Sequence, residues 1–248
     1  MLTEEELLQY NRQILYMDFG KKGQSKLKRS HIVIVGLGGL GCTALMQLAC
    51  SGIGHISIID SDTVDISNLN RQVLHWHDDI GKKKVTSAAD KIARLNPSIK
   101  VTPVCTRIIE DNVRNVIKQA DAVLDAVDNY DTRYILNKAC VTEEIPFIHG
   151  TVHGLYGQVT TIIPGKTPCF NCFYPTKREE ISPLPIFGTI AACIATIQCI
   201  EVIKLIAGFG QMLAGRMLYI DQSKMGFFIR NLEINDNCAI CGTIKQEK

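Results

Sequence analysis

The chain has almost no net charge: 27 Lys and Arg against 25 Asp and Glu leave a formal +2. Bulk attraction to nucleic acid is therefore not expected. A long uninterrupted apolar run is also missing. The longest, over 186–200, contains Thr189, Thr196 and Gln198 and is closed by Glu201 and Lys204. That is short for a membrane span and predicts a buried helix. The first residues, MLTEEELLQYNRQ, have neither the basic start nor the apolar centre of a secretion signal. No segment is low in complexity or repeats at a fixed period, and no Gly- or Pro-rich linker divides the 248 residues. A cytoplasmic location is the default that follows. In a reducing compartment the ten cysteines are expected as thiols or metal ligands, not disulfides. What remains, 46% hydrophobic and 21% charged, is the composition of a folded domain with a sizeable core.

Apolar periodicity divides that domain. Thr3 and Glu6 form a capping box, so a helix is predicted from Glu4, with Leu7, Leu8, Asn11, Ile14 and Leu15 on one face and Arg12 on or near the other. A basic stretch, 21–29, leads to a buried strand over 31–35. Strands are predicted over 56–60, 101–105, 122–125 and 147–151. Helices between them run from the glycines at 36–41 to about Cys50, then over 82–95, 111–118 and 131–143. Strand–helix alternation of this kind makes a parallel, doubly wound α/β sheet. After Gly150 the pattern changes to strands over 157–163, 216–220 and 227–233 around a helix over 187–207. These read as an antiparallel extension of the same core.

The segment Gly36-Leu-Gly38-Gly39-Leu40-Gly41 follows the first strand and opens a helix, and Asp60 ends the second strand 24 residues after Gly36. Glycines let backbone approach a phosphate, the helix N-terminus offers unpaired N–H groups, and a carboxylate at this place holds a ribose hydroxyl. A glycine turn that only packs helix on strand is the plainer alternative. The loop after Asp60, through Asp62, Ser67, Asn68 and Arg71, adds cationic and amide groups. Lys84 opens the next helix, and Asp128 and Asn129 lie just past the fourth strand. Arg, Lys and Asp on the carboxyl edge of one sheet suit a triphosphate with a metal ion. A nicotinamide dinucleotide needs less cationic charge. Asp62, Asp65 and Asp131 read mainly as turn and cap residues.

Cys169-Phe-Asn-Cys172 and Cys238-Ala-Ile-Cys241 are two CxxC pairs beside turn-forming residues. Four thiolates at this spacing fit tetrahedral Zn2+; a redox dithiol is the rival reading. Cys42, Cys50, Cys105, Cys140, Cys193 and Cys199 lie mostly in apolar segments and read as core.

The motifs YNRQI, GLGGLGC, DSDTVDISNLNRQ, GKKK, DAVDN and the CxxC pairs, in this order and spacing, resemble the MoeB/ThiF/HesA family, relatives of ubiquitin-activating enzymes. The resemblance covers nearly the whole chain, and the MoeB branch is closest in length and architecture. It implies a single adenylation domain, 1–248. Residues 1–150 form its nucleotide-binding half, and 151–248 carry a zinc knuckle and the carrier-binding surface. It further implies a homodimer that uses ATP and Mg2+ to adenylate the C-terminal Gly-Gly carboxylate of a ubiquitin-like sulfur-carrier protein of ThiS/MoaD type. Pyrophosphate leaves, and the acyl-adenylate later becomes a thiocarboxylate. By position, Gly39 and Gly41 would contact phosphate and Asp60 the ribose. Asn68, Arg71 and Lys84 would hold the triphosphate, Asp128 the Mg2+, and Asn129 would lie beside the nucleotide. Arg12 matches an arginine that reaches into the partner subunit's site, and the zinc would be structural. Bland readings of Arg12 as a solvated helix residue and Arg71 as a surface ion-pair residue stay open.

The chain departs from the family in one place. Many relatives carry a cysteine in the crossover loop after the first CxxC, but here 175–186 reads PTKREEISPLPI. Covalent carriage of the substrate is thus in doubt, with Cys193 the nearest thiol. No rhodanese-like segment is present, so a separate sulfur donor protein is expected. His75 and His77 read as structural or surface residues, while His149 and His153 are candidates to line the channel for the carrier's tail. A nicotinamide-dependent oxidoreductase and a non-catalytic scaffold for a ubiquitin-like protein are the rival functions.

Overall fold

The computed structural model describes residues 1–176 and 184–242. Among them, one eight-stranded sheet has the order β3-β2-β1-β4-β5-β6-β7-β8. Strands β1 (His31–Val35), β2 (His55–Ile59), β3 (Lys100–Val104), β4 (Ala122–Asp125) and β5 (Phe147–His153) are parallel. Strands β6 (Tyr156–Ile162), β7 (Arg216–Asp221) and β8 (Gly226–Asn231) continue it antiparallel. The doubly wound sheet with an antiparallel extension is therefore the fold observed. Period-2 burial decides which face each residue joins. Ile32, Ile34, Ile56 and Ile58 pack under α4 (Gly39–Cys50), α5 (Lys84–Leu95) and α9 (Gly188–Ala207). Val33, Val35, Ile59 and Val123 pack on the other face under α6 (Glu110–Ile117), α7 (Tyr130–Thr142) and α8 (Phe170–Phe173).

Helix α9 is the long apolar helix the sequence predicts. At 20 residues it is, among the described residues, the one helix long and apolar enough to cross a membrane, yet half of its apolar window is buried inside the fold. Its Gln198 donates to the carbonyls of Asp125 (2.7 Å) and Ile148 (3.0 Å), and Glu201 accepts from the Thr161 hydroxyl and the Leu213 N–H, both at 2.6 Å. Buried polar groups bonded to the elements packed around them mark a core helix.

Two expectations at the N-terminus need correction. The capping box on α1 (Glu4–Gln9) is present, but the chain breaks at Tyr10 and restarts as the short α2 (Asn11–Ile14). Tyr10 is buried, its hydroxyl accepting from Asn96 at 2.8 Å. The break rotates the following residues, so the supposed common face does not form: Leu8 is 78% and Leu15 65% exposed. The basic stretch is also a helix, α3 (Gly20–Arg29), buried through Gly23, Gln24 and Leu27. One leucine among five cations gave too faint an apolar stripe to announce it.

Candidate functional site

A cavity of about 530 Å³ opens at the carboxyl ends of β1, β2 and β4, the edge where open α/β sheets bind ligands. Gly36, Gly38, Gly39 and Leu40 form its floor. Gly36 has φ +94°, and a Cβ there would meet the Ala126 carbonyl at 2.5 Å. Gly38 caps α4 without a side-chain hydrogen bond, so the N–H groups of the first helical turn, beside the cavity floor, have no intrahelical acceptors. Gly41 lies off the cavity: a Cβ on it would fall 1.8 Å from the Gly36 carbonyl, which makes it the glycine that lets α4 press against β1.

The loops from β2 and β4 close the walls. Asp60 accepts from the Leu37 N–H (2.7 Å) and the Asp62 N–H (2.8 Å), tying the glycine turn to the β2 loop. Lys84 is 6% exposed and lines the cavity, its ammonium 2.9 Å from Asp62 Oδ2. Arg71 lines it too, donating to the Ser67 carbonyl (2.8 Å) and Asn70 Oδ1 (3.0 Å). Asn68 is also in the wall, while Ser67 is not and sits on Asp65, whose carboxylate takes its hydroxyl. Asp128 and Asn129 form the far wall, and Asn129 caps α7 through the Thr132 N–H at 2.9 Å. The structure thus brings together Gly36, Gly38, Gly39, Leu40, Asp60, Asp62, Asn68, Arg71, Lys84, Asp128 and Asn129. Arg12 stays apart, exposed on α2 and outside this chain's own cavity. Beside it Leu8, Leu15, Tyr16 and Met17 are exposed.

Sequence reasoning missed Arg107 and Gln72, which also line the cavity. Arg107 follows β3 by three residues and Gln72 follows Arg71. Gln72 closes the DSDTVDISNLNRQ motif but carries no charge that would mark it for a phosphate, and Arg107 stands in no pattern that sets it apart from an ordinary loop residue.

Two thiol groups were expected in α9 and α4 as packing residues, and they are. Cys193 is half-buried against the core and lines neither cavity described here. Cys42 is fully buried, and burial pushes its pKa up to about 12. By contrast, Cys169, Cys172, Cys238 and Cys241 converge, their sulfurs all within 4.8 Å of one another. Individual separations are 3.9 Å for Cys169 to Cys172, 3.6 Å for Cys169 to Cys238 and 3.3 Å for Cys172 to Cys241. A tetrahedral ion with Zn–S near 2.3 Å wants sulfurs about 3.8 Å apart. Burial opposes a thiolate at Cys238, but N–H groups of Cys241 and Ile240 outweigh it and bring its pKa down to about 7. One cluster shared by both CxxC pairs fits a zinc knuckle better than two separate dithiols.

A family model described as the ThiF family matches residues 10–241. The chain belongs to the ThiF family. Its ThiF-family relatives include the SAMP-activating enzyme E1 of Haloferax volcanii, 38% identical over 246 residues, which cover 97% of this chain and 91% of that one. The molybdopterin-synthase adenylyltransferase of Salmonella typhimurium is 39% identical over 245 residues, covering 97% and 98%. Among solved structures, E. coli MccB with ATP superposes with a TM-score of 0.86 at 28% identity, covering 94% of this chain and 73% of that one. These names are consistent with adenylyltransferase activity in this ThiF-family chain.

A second cavity, about 640 Å³, adjoins the first and shares Asp128, Asn129, Thr151, Val152 and Leu184 with it. Its other walls come from the antiparallel extension and α7: Tyr156, Gln158, Tyr219 and Phe228 with Tyr130 and Arg133. His153 lines it. His149 does not. It is fully buried with Nδ1 2.7 Å from Asp125 Oδ2, and burial outweighs that hydrogen bond and lowers its pKa.

Proposed function

We propose that the chain transfers AMP from ATP to the C-terminal carboxylate of a small ubiquitin-like sulfur-carrier protein. One observation carries the reading: a glycine-floored cavity that sets Arg71, Lys84 and Arg107 beside Asp60, Asp62 and Asp128 adjoins, at the Asp128–Asn129 wall, an aromatic-lined second cavity. The first is suited to a nucleoside triphosphate. The second is suited to an extended peptide tail whose carboxylate meets the α-phosphate at the shared wall. The carboxylate oxygen forms a bond to that phosphorus, the bond to the bridging oxygen of the β-phosphate breaks, and pyrophosphate leaves.

Each residue then has a role derived from its place. Backbone N–H groups at Gly39 and Leu40 face a phosphate. Asp60 takes the ribose hydroxyls. Lys84, Arg71 and Asn68 offset charge on a polyanion attacked by an anion. Asp128 holds Mg2+, which neutralises phosphate charge when bound. Asn129 borders the nucleotide. Arg12, exposed amid apolar neighbours, reaches the equivalent cavity of a second copy in a homodimer. The four cysteines hold a structural Zn2+ that ties 238–241 to 169–172. Residues 1–248 act as one adenylation unit. The crossover loop, 175–186, lies largely at 177–183, outside the described residues.

Exchange of labelled pyrophosphate into ATP, stimulated by a candidate carrier with a C-terminal Gly-Gly, tests the reading. A nicotinamide oxidoreductase or a mere scaffold would give no exchange with any carrier. The cluster of Arg71, Lys84 and Arg107 already speaks against a nicotinamide site.

A further inference from the structure

Beneath the wall between the two cavities lies a buried charge cluster that the adenylation reading does not use. Asp125 is fully buried and Arg133 only 2% exposed, and Arg133 Nε donates to Asp125 Oδ2 at 2.7 Å. His149 Nδ1–H donates to the same oxygen at 2.7 Å. Burying such a pair costs several kcal/mol in lost hydration, which the attraction between the partners only partly offsets. Well-packed hydrophobic residues in the place of such a pair are often as stable, so the pair calls for another reason.

Its remaining hydrogen bonds supply one. Asp125 Oδ1 accepts the Val127 N–H at 3.2 Å, and Arg133 Nη2 donates to the Val127 carbonyl at 2.7 Å. Both polar groups of Val127, the residue before Asp128, are thus held by the two halves of one ion pair. The ring closes on rigid elements at each end. Asp125 ends β4, and its own carbonyl accepts from Gln198 of α9. Arg133 sits one turn into α7, whose N-cap is Asn129. The turn from 126 to 129 therefore has little freedom although Asp128 itself is exposed.

We infer that Asp125 and Arg133 form a clamp that positions Asp128 for its metal ion, with Arg133 the positioning residue. The inference rests on the reading of Asp128 as a metal ligand. A planar guanidinium is required because two nitrogens must reach two acceptors at fixed angles, which an ammonium cannot do. Arg133→Lys keeps the charge that neutralises Asp125 and loses the fork.

The test uses the full chain, Mn2+ as a paramagnetic probe, and a non-hydrolysable ATP analogue. Free Mn2+ is measured by electron paramagnetic resonance, with thermal unfolding recorded on the same samples. Arg133→Lys is expected to weaken Mn2+ binding in the ternary complex about tenfold or more, the usual cost of losing a group that orients a ligand. Binding of the analogue without metal should stay unchanged. Asp128→Asn provides the reference loss, and Asp125→Asn, nearly isosteric, is the second variant should Arg133→Lys fail to fold. If Asp128→Asn loses the metal while the folded clamp variants keep it, the clamp is refuted and the metal-ligand reading stands. If Asp128→Asn keeps the metal too, the reading beneath the clamp falls with it. A lowered unfolding temperature with unchanged Mn2+ affinity would mean that the pair is structural only.

Discussion

Replacing Lys84 by Met separates binding chemistry from fold stability more cleanly than any other change in the cavity. The lysine stem is buried at the start of α5, and methionine retains most of that apolar volume. Among the described residues the ammonium's one ion-pair partner is Asp62, whose side chain is 64% exposed. An Asp62 left alone is rehydrated at little cost, so the stability loss should stay within about 1 kcal/mol, the range of exposed pairs. The effect on phosphates is larger. A unit charge about 4 Å from a phosphate oxygen contributes about 4 kcal/mol at an effective dielectric constant of 20. That corresponds to about a thousandfold in kcat/KM. Pyrophosphate exchange should therefore fall by two to three orders of magnitude, on the scale of losing one electrostatic donor, while the unfolding temperature moves only a few degrees. Exchange within a few-fold of the parent protein would show that Lys84 does not face the reacting phosphates. A collapse of the fold would show that the Lys84–Asp62 pair is structural.

Other outcomes are expected from the same geometry. Metal analysis should find about one zinc per chain, and Cys241→Ser should lower thermal stability more than activity per folded molecule, because structural zinc contributes directly to folding; absence of zinc, or iron with a visible chromophore, would refute this. Acid should destabilise the fold between pH 6.5 and 4. His55 stacks on His31 with ring centroids 3.9 Å apart, and burial, His31 and Lys100 hold its pKa down to about 4. The unfolded chain therefore binds the proton first, and stability falls as pH drops through this range. Denaturant midpoints of His55→Gln that track the parent across this range would refute it. Mixing Arg12→Ala with Asp128→Ala protein, each inactive alone, should restore exchange once subunits swap, since one site of a mixed dimer then lacks neither residue. No rescue with subunit exchange confirmed would place Arg12 in its own chain's site or in none.

How far the sequence led follows from which signals are local. Strands β1 and β4 are short buried runs flanked by turn residues, and their bounds were read without error; other strands shifted by a residue or two. The helices with a clear apolar stripe were found as well. Failure came where local pattern and tertiary context part. In α3 the buried face is made of a glycine, a glutamine and one leucine, which reads as polar until α9 is laid against it. The break at Tyr10 is invisible because nothing in 1–15 announces that its hydroxyl will meet Asn96, a residue 86 positions away.

The site divides along the same line. Gly36, Asp60 and Asp128 closely follow strand ends, and Arg71 and Lys84 lie in the loop and at the helix start after β2, an order that chain geometry alone turns toward one edge. Their convergence was therefore legible from spacing. Arg133 was not, although it lies five residues from Asp128. Within a helical segment an arginine reads as a solvated face, since Lys and Arg are almost never fully buried unless paired. Only β4 packed against α7 reveals Asp125 as its partner, and only the turn between them reveals what the pair holds. Sequence motifs mark the groups that touch a ligand, because those must sit at chain positions fixed by the ligand's shape. Groups that hold such residues in place can come from any element near enough, and so the Val127 clamp leaves no spacing to read.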